Sequence, residues 1–170
     1  MNLEQRKSIQ SSVVEDKSFD REERAGEMAQ FVKKFETCSL PRAKWNHEAH
    51  LTVALWYLYH YAKPIATALI REGIQKYNLV HGIVITDTSG YHETITLFHI
   101  WAIDRFLATA DRTRSLAELV DQLIEQYGNN RLLFEHYSGD CLNSWEARIR
   151  WVEPDLKPLD QCSFWGGNNE

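Results

Sequence analysis

Two short stretches place histidine beside glutamate, "WNHEAHL" at 45–51 and "GYHETIT" at 90–96. His47, His50 and His92 can ligate a divalent metal or accept a proton, provided that their imidazoles are neutral. Glu93 can add a fourth ligand or act as a general base. Glu48 can act as a base or hold a histidine tautomer from behind. Imidazole with carboxylate suits zinc, iron or nickel, and such a centre either activates a bound water for hydrolysis or keeps a position open for oxygen. Trp45, Asn78, Tyr91 and Thr96 are the side chains expected to contact a small ligand beside these groups.

Spacing sorts the candidates. "HEAH" is not the HExxH of zinc proteases, whose second histidine lies four residues on. Residues three apart share a helix face, so His47 and His50 can address one point. His92, Thr96 and His99 form one stripe, but His99 lies roughly 10 Å beyond His92 at about 1.5 Å per residue, which makes it the weaker candidate. His60 is roughly 20 Å from His47 on the same rise and is excluded. His81 reads as a helix-end residue, and His136 as a remote candidate. Each choice has an ordinary alternative: capping and core hydrogen bonding for His47 and His50, a first-turn carboxylate for Glu93, a solvent-facing side chain for Glu48, a C-terminal polar residue for Asn78.

The elements that must position these groups read as helices. Met28, Phe31, Val32 and Phe35 recur at helical spacing within 22–36. A second helix starts at the N-cap Asn46 and runs to about Tyr61; it is apolar nearly all round and should be central. Pro64 opens a third, to about His81. "IVITDTSG" is expected as an extended loop, with at most a minor strand at 83–86. A fourth helix starts near Tyr91. Ser115 and Glu118 form a capping box for a fifth, which stops at Gly128. Two short helices are expected near 130–138 and 144–151. Trp101, Trp145 and Trp151 read as core, and Arg148 and Arg150 as a solvated ion-pair face near Glu153. Short connections favour antiparallel neighbours, so the fourth helix should begin at the end where the second began. That brings the two histidine stretches together with Asn78 and His81. Partial positive charge on the helix N-termini favours neutral imidazole there.

The fold class expected is all-α: one domain over 21–160, an irregular bundle of about five main helices plus short C-terminal helices. A flexible lead over 1–20 and a tail over 161–170 flank it, the tail carrying Phe164 and Trp165 as anchors. The chain of 170 residues is long enough for one core, and its 44% hydrophobic and 25% charged residues are ordinary for a globular protein. A net charge of -5 without a basic stripe argues against nucleic acid. The apolar runs are too short and interrupted to span a bilayer, and the N-terminus lacks a signal-peptide block, so a bacterial cytoplasmic protein is expected. Cys38, Cys141 and Cys162 form no CxxC and suggest neither a disulfide framework nor a zinc knuckle. A Cys/His pair at Cys38 is a minor option. There is no glycine-rich phosphate loop and no GxSxG.

"FETCSLPRAKWNHEAHLTVALWYL", "GIQKYN" and "GYHETIT" resemble a family of uncharacterised small bacterial all-helical proteins with W-x-H-x-A-H-L, G-I-x-x-Y-N and Y-H-E-T segments. The likeness covers roughly residues 30 to 155 and implies a free-standing domain of that type. It carries no catalytic role with it. Three readings follow from the residues: a metal-dependent enzyme acting on a small molecule, a non-catalytic small-ligand-binding module, or an interaction protein with structural histidines. A homo-oligomer through apolar helix faces is compatible with each.

Overall fold

The computed structural model describes residues 22–159; the expected lead over 1–20 and tail over 161–170, with Cys162, Phe164 and Trp165, lie outside them. The described chain is all-α, and it contains no strand. Helix α1 covers 22–36. A 3-10 turn at Arg42–Lys44 leads into α2 (His47–His60), α3 (Lys63–Val80), α4 (Glu93–Thr109) and α5 (Leu116–Tyr127). Three short helices follow: α6 (Arg131–His136), α7 (Gly139–Leu142) and α8 (Trp145–Ile149).

The helix starts follow local chemistry. The Asn46 side chain accepts the Ala49 N–H, satisfying one of the orphan donors of α2. Pro64 sits in the first turn of α3, where no N–H is needed. Ser115 and Glu118 close the expected capping box of α5. Ser138 and Ser144 cap α7 and α8. The segment after α3 stays extended, and its turn is closed by the Thr86 N–H donating to the Ser89 carbonyl.

α2 is central, as its apolar circumference requires. It packs on α3, α4 and α5, and Leu51, Val53 and Leu55 are almost fully enclosed. Burying side chains of this size contributes roughly 1.5–3 kcal/mol each. Gly73 lets α1 approach α3: a Cβ there would lie 2.8 Å from the Phe35 ring. A smaller cluster of Phe98, Trp101, Leu133, Tyr137 and Leu142 holds the short C-terminal helices against α4. Two expectations fail at α8. Trp145 is half exposed, because α8 is a five-residue helix that can turn only one side inward. Arg148 is buried on that inner side, whereas Arg150 does face outward and pairs with Glu146.

Candidate functional site

A cleft of about 580 Å³ opens between α2, the second half of α3, the 83–92 segment and the first turns of α4. It collects Trp45, His47, His50, Asn78, Tyr91, His92 and Thr96, all expected at the site. Leu51, Ala54, Ile70, Ile74, Ile95 and Ile100 form its apolar wall. Its volume falls in the range of small-molecule sites.

The α2 side of the cleft keeps its histidines available. Because Asn46 does the capping, neither His47 nor His50 is needed for it. The His47 ring lies 3.2 Å through Nε2 from the Tyr127 carbonyl, so Nε2–H donates and Nδ1 is left as an acceptor. His50 packs its ring on Trp45, centroids 3.9 Å apart, and has no hydrogen-bond partner among the described residues. A third histidine joins them. His99 stands with its ring edge-on to His47, centroids 5.1 Å apart. Its Nδ1–H donates to the Ile95 carbonyl at 2.8 Å, and the Asn130 side chain is a hydrogen-bonding neighbour of the ring. Burial pushes the His50 pKa down to about 3, with His47 and His99 adding to the effect. Burial likewise pushes His99 down to about 4, against the pull of its bond to Ile95. Both are neutral imidazoles at pH 7.

The α4 side is different. His92 is itself the N-cap: its Nδ1 accepts the Ile95 N–H at 3.3 Å, and its Nε2–H donates to the Leu142 carbonyl at 2.9 Å. Both nitrogens are occupied, so His92 does not fit the metal-ligand role expected of it. Burial also lowers its pKa. Glu93 is buried beneath the cleft rather than in it. Its carboxylate pairs with Arg71 at 2.7 Å and accepts the Tyr91 hydroxyl at 2.6 Å. Both oxygens are engaged and Glu93 does not line the cleft, so the expected role as fourth ligand or base does not fit either. Burial and the neighbouring Glu93 together raise the Tyr91 phenol above its ordinary range. Glu48 is exposed and lines a separate shallow groove with Arg24, Lys44 and Asp121, away from the imidazoles. The helix turn that aims His47 and His50 inward turns Glu48 outward. Thr96 donates its hydroxyl to the His92 carbonyl, and Asn78 is buried at the cleft edge.

Among the described residues no three His, Cys, Asp or Glu side chains converge to hold a metal ion. The remaining histidines have other tasks. His81 stacks on Tyr77 and bonds to the Cys38 carbonyl. His136 bonds to the Lys157 carbonyl beside Phe98 and Trp101. His60 bonds to the Trp56 carbonyl.

Two cleft residues were underrated in the sequence reading. His99 was signalled by its stripe with His92 and Thr96 but ranked as the weaker candidate on axial distance. Arg148 carried no signal at all. Its guanidinium reaches across from α8 to the carbonyls of Asp87 (2.9 Å), Ser89 (3.2 Å) and Tyr91 (3.4 Å), fixing the segment that rims the cleft. Neither a family model, nor a curated protein, nor a solved structure matches this chain. Among the described residues no helix is long and apolar enough to cross a membrane.

Proposed function

We propose that the protein binds a small molecule in this cleft and presents neutral imidazole nitrogens to it. The observation that carries this reading is the grouping of His47, His50 and His99 at one cleft, with ring nitrogens left over from backbone bonding. A lone pair on neutral imidazole accepts a proton or a hydrogen bond, so the ligand offers a hydroxyl, amine or amide N–H at that end. An apolar wall facing a few convergent polar groups is the usual make-up of a small-molecule site. The test is a ligand screen by thermal shift on wild type and His50→Gln. Hits that stabilise the wild type and fail on the folded variant support the reading. Hits indifferent to His50 and to His99→Gln refute it.

The second reading is the metal-dependent enzyme, with His99 in place of His92 beside His47 and His50, and zinc, iron or nickel bound. The edge-on approach of His47 and His99 favours it, since two imidazoles on one ion meet at a similar angle and separation. It requires the three side chains to move together, because they do not converge in their present rotamers. Elemental analysis of untagged protein decides this: near-stoichiometric metal that His47→Gln and His99→Gln both remove supports it, and metal-free protein that takes up none on titration refutes it.

A further inference from the structure

We infer that the cleft's ligand is an organic anion with an apolar body, its negative group drawn to the rim that Arg148 and Arg42 make positive. This rests on reading the cleft as a small-molecule site. Among the described residues no aspartate or glutamate side chain lines the cleft, although the protein as a whole carries a net charge of -5. Its two charged lining residues are both arginines, Arg42 and Arg148. The nearest buried acid, Glu93, is already matched by Arg71.

Arg148 is the decisive group. Its side chain lines the cleft and only 7% of the residue is exposed. Its bonds run to three backbone carbonyls, it has no carboxylate partner among the described residues, and its Nε–H has no hydrogen-bond partner. Carbonyl dipoles solvate a guanidinium without neutralising it, so a full positive charge remains in a poorly solvated place. Such a charge is costly unless a counter-charge comes to it. Arg42, exposed at the rim, adds to the same field. His50 and His99, neutral at pH 7, add no positive charge, which leaves the arginines as the fixed positive charge of the cleft. Leu51, Ala54, Ile70 and Ile74 supply the surface for the apolar body. The planar fork of arginine accommodates carboxylate and phosphate alike, so the shared chemistry is a compact oxyanion on a hydrocarbon.

The experiment is calorimetric titration at low and high salt with hexanoate, 3-phenylpropanoate and hexyl phosphate, each compared with hexanamide or 3-phenylpropanamide. The acids are expected to bind tighter than the amides by roughly tenfold or more, the loss expected for one charge-assisted hydrogen bond. Salt should narrow that margin. Arg42→Gln, on the exposed rim, should weaken the acids severalfold and leave the amides unchanged. Arg148→Gln should do more; because it also unties the 87–91 segment, it is read only if its melting transition stays cooperative, and Arg42→Gln carries the test otherwise. Tighter binding of hexyl phosphate or of hexanoate supports the proposal in either case and identifies the head group. Amides that bind as well as acids would overturn the anion and leave the small-molecule cleft standing. Acid binding that neither salt nor Arg42→Gln alters also overturns it. If all five compounds fail at millimolar concentration, the anion proposal falls, and the cleft reading is decided separately by the thermal-shift screen on wild type and His50→Gln.

Discussion

The first turns of α2 and α4 carry nearly the same letters, histidine followed by glutamate, and the structure uses them in opposite ways. In α2 an asparagine caps the helix, so His47 and His50 are left to face the cleft, while Glu48 points to solvent. In α4 the histidine is the cap, and the glutamate is fastened by Arg71 and Tyr91. One turn presents its chemistry and the other consumes it in holding the scaffold. The difference comes from one residue, the N-cap: where a short polar side chain can take the N–H, the imidazole is released.

The largest effect that sharpens this contrast is acid sensitivity. Burial holds the folded pKa of His50 near 3 and that of its cleft neighbour His99 near 4, below the ordinary value of 6.5. Below pH 6.5 the unfolded chain therefore binds more protons than the folded one. Stability is full above that value and falls as pH drops toward 4, by up to about 1.4 kcal/mol per pH unit for each histidine. Urea unfolding between pH 7 and 4.5 should show this, and His50→Gln should flatten the curve. A variant curve parallel to wild type would place the acid sensitivity elsewhere.

Next comes the consumed side. Glu93→Ala leaves the Tyr91 hydroxyl without its acceptor and Arg71 without its partner. A loss of about 2–4 kcal/mol at pH 7 is expected, the half-exposed Arg71 keeping it from being larger. A loss under about 1 kcal/mol would mean that the ion pair is not what holds this turn. His92→Ala removes a cap and the tie to α7, and should cost about 1–3 kcal/mol. His92→Asn should regain the capping part. If His92→Ala instead left stability untouched and abolished ligand binding, the contrast between the two turns would be reversed. The smallest effect belongs to Glu48→Gln, on the exposed face of α2: within about 0.5 kcal/mol in stability, and no change in ligand affinity by the same titrations.

Much of the fold was legible from local rules. The periodicity of apolar residues located the five long helices, and Asn46, Pro64 and the Ser115–Glu118 pair marked their starts. The apolar circumference of α2 announced a central helix, and α2 is central. The meeting of 45–51 with 78 and 91–96 followed from short connections alone. What local rules missed is the height at which helices meet. His99 was ranked the weaker candidate for lying further along α4, yet it faces His47, the first residue of α2. Glu93 was expected at the cleft, yet it pairs with Arg71, which does not line the cleft although its α3 neighbours Ile70 and Ile74 do. A periodic pattern states which face of a helix is buried, but axial offset depends on which side chains interlock, and many offsets bury the same face.

By itself, the sequence determined the helical class, the helix starts and the presence of two histidine-rich turns at one end of the bundle, because capping and periodicity are interactions within a few residues. Only the tertiary structure decided which of those side chains stay available. That choice rests on partners far away in the chain: Leu142 for His92, Arg71 for Glu93, Tyr127 for His47, and the 87–91 carbonyls for Arg148. A titratable group is free for chemistry only when no distant donor or acceptor claims it, and no local pattern records that claim.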